Sequence, residues 1–222
     1  MQLHKFIIFF GTGVILVTFF IAVSYLKKEK PIFYKYIFIF IILGLLISLN
    51  TIIYYYFHLT SLYNLRLVQY LLTSLQMPCI SLFFLNILSN NSSRKLLVYL
   101  SIIFIALQLF IFILGILNYI DFTNTYVCIS LISLIYSMFY FRDFLNTPFQ
   151  IHFAHNSTFW IVVGIFFHSC ISFPVYSLYK FIPLQSYKDL RFAIFSLSNM
   201  SLTILYIFIS RSYLCLKHQP NL

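Results

Sequence analysis

Acidic residues are nearly missing from this chain. Its 222 residues hold four, Glu29, Asp121, Asp143 and Asp189, and none lies deep in an apolar stretch. Charged residues of either sign make up 8%, against roughly 25% in soluble domains. Glycine is scarce, with only Gly11, Gly13, Gly44, Gly115 and Gly164, and none of these forms a GxxxG packing motif. The four cysteines, Cys79, Cys128, Cys170 and Cys215, form no CxxC spacing. A disulfide framework is therefore not expected. No G-x-S-x-G, no H-E-x-x-H and no pair of aspartates inside an apolar stretch occurs, which removes the usual signatures of membrane hydrolases. The last apolar stretch contains no lysine, which argues against a retinal Schiff base. No cofactor is expected.

What is present is apolar. Hydrophobic residues make up 62% of the chain, more than a water-soluble fold of this size can hide, so lipid must solvate part of it. The apolar residues fall into seven stretches, at about 6–26, 36–57, 67–88, 96–117, 126–141, 159–179 and 192–213. Each is near the ~20 residues a helix needs to cross a ~30 Å hydrocarbon core. The ten-residue alternation of barrel strands is absent. The expected fold is an all-α membrane protein, a seven-transmembrane-helix bundle forming one integral membrane domain over residues 1–222. The connectors leave no room for a separate soluble domain. The first stretch reads as a span rather than a cleaved leader, because its apolar part is long and Lys27-Lys28-Glu29-Lys30 follows it at once.

The net charge is +10. The basic residues are scattered over nearly every connector without a dense stripe, so they read as topology signals and headgroup contacts rather than a nucleic-acid surface. One side would carry Lys5, Arg66, Lys180, Lys188 and Arg191. The other would carry Lys27, Lys28, Lys30, Lys35, Arg94, Lys95, Arg142, Arg211 and Lys217. The positive-inside rule places the larger set in the cytoplasm, giving an N-out/C-in orientation.

Many tyrosines fall near span ends: Tyr34, Tyr36, Tyr54, Tyr55, Tyr56, Tyr126, Tyr140, Tyr179 and Tyr213. They are expected at the headgroup boundary, as is the lone Trp160. The polar residues inside spans are Asn50, Gln69, Gln76, Asn86, Gln108, His168 and Asn199, plus several Ser and Thr. Neutral amides commonly tie helices together, and a ligand role is the alternative. His168 is the only titratable base deep in a span. A proton relay through it would need a carboxylate inside the membrane, and there is none. It is expected to pack helices by hydrogen bonding or to contact a ligand. His152 and His155, three apart in a connector, lack a spaced Cys, Asp or Glu to complete a metal site. They read as interfacial residues.

Four stretches carry a resemblance to a known group: TSLQMPCISLFFLNIL, ISLIYSMFYFRDFLNTP, NSTFWIVVGIFF and SNMSLTILYIF. The chain resembles a family of uncharacterised seven-helix membrane proteins from Bacteroidota. Some members are similar to the membrane input regions of sensor histidine kinases. The group often has Glu where this chain has Gln76, a second Asn where it has Thr203, and Tyr and small residues where it has His168 and Cys170. A shared protonatable site therefore does not carry over. The resemblance implies a non-enzymatic sensory or accessory protein of a bacterial cytoplasmic (inner) membrane, signalling through a partner. A composition rich in Phe, Ile, Lys and Asn also fits an AT-rich bacterium.

The expected function is to bind a partner protein, or a small apolar or lipid ligand between helices, and to pass a helix-packing change to the cytoplasm. The hinge would lie near Gly164 and Pro174. The alternatives are a membrane enzyme or small transporter for lipid-like substrates, marked by a water-accessible midplane cavity, or a membrane-perturbing effector. Where a pocket forms, Gln76, His168, Asn199 and Tyr206 are expected to face it. The expected partners are the lipid bilayer and a cytoplasmic or membrane protein.

Overall fold

The computed structural model describes residues 2–26, 31–54, 62–116, 123–146, 156–179, 181 and 188–216. They form α1 (Gln2–Leu26), α2 (Phe33–Ile52), α3 (Leu62–Ile87), α4 (Asn91–Ile116), α5 (Thr123–Leu145), α6 (Ser157–Tyr179) and α7 (Lys188–Cys215). All seven are long and apolar enough to cross a membrane. This is an integral membrane bundle of seven helices. The end at which α1 begins is termed the N-side, and the end at which α7 finishes the C-side.

Six helices form a closed ring. α1 packs on α2, α2 on α3, α3 on α5, α5 on α6, α6 on α7, and α7 back on α1. α4 stands outside, resting on α3 and α5. Its inward stripe of Ser93, Leu97, Ser101, Phe104, Gln108 and Ile111 is buried, with the 3.6-residue period of one helix face. From Ile102 onward the opposite face, including Ile103, Leu109, Phe110 and Ile113, is exposed and apolar, as lipid contact requires. The Ser101 and Tyr136 hydroxyls share a 2.6 Å bond, and the Tyr70 hydroxyl donates to the Gln108 carbonyl at 2.7 Å. These bonds hold α4 to α5 and α3.

Several helices run past the stretches read from the sequence, and at two of these ends the cause is visible. α4 begins at Asn91, ahead of the expected start at 96. Asn90 caps it: the side-chain carbonyl accepts from the Ser92 amide at 2.9 Å, which satisfies a free donor of the first turn. α5 continues through Arg142 and Asp143 to Leu145, beyond the expected end at 141. The reason is Asp143, which is buried. The Ser93 hydroxyl donates to one carboxylate oxygen at 3.2 Å and the Asn90 amide to the other at 3.4 Å. The carboxylate also faces the positive end of the α4 dipole. Asp143→Ala is expected to cost about 1–2 kcal/mol, seen as a lower unfolding temperature in detergent. Asp143→Asn should retain part of that, and an Asn variant more stable than wild type would refute the electrostatic component.

The C-side half of the ring is filled by aromatics. Tyr34, Phe83, Phe84, Tyr136, Tyr140 and Tyr213 are all buried there. Phe84 lies 5.6 Å from Tyr136, and Tyr34 lies 5.3 Å from Tyr213. Three tyrosines expected at the headgroups, Tyr34, Tyr140 and Tyr213, therefore point inward. Two of their hydroxyls have partners there: the Tyr213 hydroxyl donates to the Tyr34 carbonyl at 3.2 Å, and the Tyr140 hydroxyl meets Thr158 Oγ1 at 3.4 Å. Tyr55 and Tyr56 lie outside the described residues, as do His152, His155 and the Lys27–Lys30 run.

The join between α6 and α7 is close. Asn156 caps α6, its side-chain carbonyl accepting from the Thr158 and Phe159 amides at 3.1 and 3.3 Å. Trp160 stacks on Phe208 with ring centres 5.7 Å apart, and the Arg211 guanidinium sits 5.9 Å from the indole centre. A side chain on Gly164 would place its Cβ 2.9 Å from Phe208 Cβ and 3.1 Å from Leu205 Cδ1. On the other flank of α7, the Thr18 hydroxyl lies 2.8 Å from Ser210 Oγ and 3.2 Å from the Tyr206 carbonyl. That contact closes the ring between the first and last helices.

Candidate functional site

The N-side half of the ring is not filled. Where the C-side uses aromatics, this half uses small residues: Gly11, Thr12, Gly44, Ser48, Ser130, Ser133, Ser169, Ser198 and Thr203. They line a cavity of about 300 Å³ enclosed by α1, α2, α3, α5, α6 and α7. The volume falls at the lower end of small-molecule sites. Small side chains on six converging helices cannot meet across the axis, and that leaves the space.

The depth follows from the positions of the lining residues. Ile7, Thr51, Gln69, Tyr126, Tyr179 and Phe195 lie near the N-side ends of their helices. Ile15, Phe40, Gln76, Ser133, His168 and Thr203 lie near the middles of theirs. The cavity is therefore a well running from the N-side surface to about the midplane of the bundle. Below its floor lie the packed aromatics. Tyr126 and Tyr176 stack across α5 and α6 at 4.9 Å near the mouth. Among the described residues the wall contains no Asp, Glu, Lys or Arg.

All four residues singled out from the sequence, Gln76, His168, Asn199 and Tyr206, line this well. They differ in what they offer. The Gln76 amide makes a long 3.4 Å bond to the Phe40 carbonyl on α2. The Asn199 amide bonds back to the Phe195 carbonyl of its own helix at 2.9 Å, so it does not tie helices. His168 Nδ1 lies 2.9 Å from Ser201 Oγ and links α6 to α7. Tyr206 lines the well with its ring, but its hydroxyl is buried and, among the described residues, has no hydrogen-bond partner. That hydroxyl occupies the space where a Gly44 side chain would stand, with the Gln76 amide beside it. Of the remaining amides, Gln69 joins α3 to α2 by donating to Thr51 Oγ1 at 2.8 Å, and Asn86 bonds to its own helix. Among the described residues, both amide atoms of Gln108 are buried without a partner, as is the Asn50 nitrogen.

Reading the polar residues one at a time missed the hydroxyl-bearing wall: Thr12, Thr51, Thr73, Thr203 and the serines. A usable signal was present. In each of the six ring helices the N-side half carries Ser, Thr or Gly. Pro78 and Pro174 lie inside α3 and α6, which continue through them. Each proline removes an amide and so frees a carbonyl one turn earlier, at Ser74 and Cys170. No disulfide joins the four cysteines. Among the described residues no group of three or more His, Cys, Asp or Glu is placed to hold a metal.

No protein-family model, curated protein or solved structure matches this chain.

Proposed function

We propose that this protein is a non-enzymatic membrane receptor that holds a small uncharged amphipathic molecule in its N-side well. The observation supporting this is the well itself: half the membrane deep, lined by apolar side chains with hydroxyls and amides set among them, and free of full charges among the described residues. A charged ligand would leave its countercharge unmatched inside the bilayer, which is costly. An uncharged one with a polar group reaching the midplane is matched by the wall. The well would open outward, with the C-side in the cytoplasm. In support, the set of Lys and Arg expected at the C-side is the larger one, nine against five, as the positive-inside rule asks of a cytoplasmic face. The reading extends to a bacterial inner membrane and a signalling partner through the resemblance to sensor input regions. Ligand in the well would press on α6 and α7, where His168 bonds Ser201, and the shift would travel past Gly164 to the C-side.

A small transporter for an uncharged lipid-like solute is the second reading, favoured by the polar floor at midplane depth. It would require the C-side aromatics to part during each cycle.

Native mass spectrometry of protein released from nanodiscs tests the receptor reading. Wild type is expected to retain an uncharged small molecule. Ser48→Phe, which fills the well from α2, should lower occupancy by about tenfold, equivalent to about 1.4 kcal/mol. Equal occupancy in the two proteins would remove the well as the site. Uptake of the retained molecule into proteoliposomes, abolished by the same substitution, would favour transport over reception.

A further inference from the structure

The polar part of the wall offers open lone pairs beside a few spare O–H and N–H groups, and we infer that its ligand is a hydroxyl-bearing neutral molecule, a glycerol ester or similar alcohol-headed lipid. This rests on the binding reading above and specifies what binds.

A threonine hydroxyl has one proton and two lone pairs. Each of the four threonines on the wall donates that proton to a backbone carbonyl one turn back. Thr12 bonds the Ile8 carbonyl at 2.8 Å, Thr51 that of Ile47 at 2.8 Å, Thr73 that of Gln69 at 2.7 Å and Thr203 that of Asn199 at 2.9 Å. Thr51 spends one lone pair on the Gln69 side chain, and Thr73 lies 3.5 Å from the Tyr126 hydroxyl, while Thr12 and Thr203 keep theirs to offer. Asn199 uses one N–H on the Phe195 carbonyl, and its side-chain oxygen has no partner among the described residues.

His168 follows the same pattern. The Ser201 hydroxyl lies 2.8 Å from the Ser198 carbonyl, which can only accept, so its proton goes there. Toward His168 that oxygen then accepts, and Nδ1 carries the ring proton. Nε2 is left as an acceptor. The Ser172 oxygen lies 3.2 Å from Nδ1 and 3.3 Å from Nε2. Being equidistant, it sits midway between the nitrogens, off the lone-pair direction of either. The free donors at that depth are the Tyr206 and Ser133 hydroxyls, which have no partner among the described residues, and the second N–H of Gln76 and of Asn199, so a hydroxyl, which both donates and accepts, answers the whole wall. Buried acceptors want donors, and a missing partner costs more than a made bond gains. An ammonium head would also donate, but among the described residues no carboxylate lines the well, and the chain carries +10 overall. A fatty acid anion meets lone pairs and, among the described residues, no cation.

The test uses the full chain in nanodiscs and four probes with one octyl-length tail: 1-octanoylglycerol, its dimethyl ether, octanoate and octylammonium. Binding is read by thermal shift and native mass spectrometry. The glycerol ester should bind, and capping its two hydroxyls with methyls should weaken binding at least tenfold. Thr203→Val, nearly isosteric but lacking the acceptor, should weaken glycerol-ester binding about three- to tenfold, whereas Thr203→Ser should not. Equal binding of the dimethyl ether, or tighter binding of octylammonium or octanoate, would overturn the ligand class while leaving the well as a binding site. Binding by none of the four would overturn both this inference and the receptor reading.

Discussion

Replacing Gly164 with leucine is expected to lower stability by about 2–3 kcal/mol, the largest effect of any single change considered. A Cβ there already meets Phe208 Cβ at 2.9 Å and the Leu205 carbonyl at 3.4 Å, and neither can swing away as the end of a long side chain would. The helices must separate instead. Separation breaks the Trp160–Phe208 stack on one side and the 2.9 Å contact between His168 and Ser201 one turn along. The variant should therefore lose ligand retention together with thermal stability. Gly164→Ala should show the same pattern at about half the size. Wild-type unfolding temperature in Gly164→Leu would mean that α6 and α7 do not meet there.

The second large effect joins two residues far apart in sequence. Gly44→Ala would place a methyl where the Tyr206 hydroxyl stands, and should cost about 1–3 kcal/mol. Tyr206→Phe alone should be close to neutral, because the hydroxyl it removes is buried without a partner and leaving it so already carries a penalty. Combined, the two should be less harmful than Gly44→Ala alone, with a coupling of about 1 kcal/mol. Some cost should remain, since the ring carbon Cζ would still lie 2.9 Å from the new methyl. Additive effects in the double variant would contradict the contact. A large loss from Tyr206→Phe alone would instead give the hydroxyl a partner, with Gln76 the nearest candidate.

That pair also shows where sequence reading stops. The number and placement of spans follow from hydropathy, because backbone polar groups in lipid must be satisfied within each helix. Gln76, His168, Asn199 and Tyr206 stand out because polar groups in an apolar stretch need a reason. Which way they face, and with what left to offer, depends on the ring order. Nothing in the local sequence puts α4 outside the ring or sets α1 against α7. The tyrosines at span ends illustrate the same limit. Tyr34 and Tyr213 have the composition and position of headgroup anchors, yet their neighbours across the ring take them inside. Asp143 looked like a residue beyond the membrane edge. It became the last part of a helix once Ser93 and Asn90 were beside it.

The closing contact between α1 and α7 has a consequence for how this molecule is made. A chain leaving the ribosome presents α1 to the bilayer long before α7 exists. Until then the incomplete ring lies open along the face that α7 later covers, and the polar edge of α1 borders lipid. Thr12 and Thr18 tolerate that wait because each hydroxyl already bonds a carbonyl of its own helix, Ile8 and Val14, at 2.8 Å. The link to Ser210 is added when the last helix arrives. The well is thus a product of completed synthesis: a nascent chain halted before α7 has every other wall and no compartment.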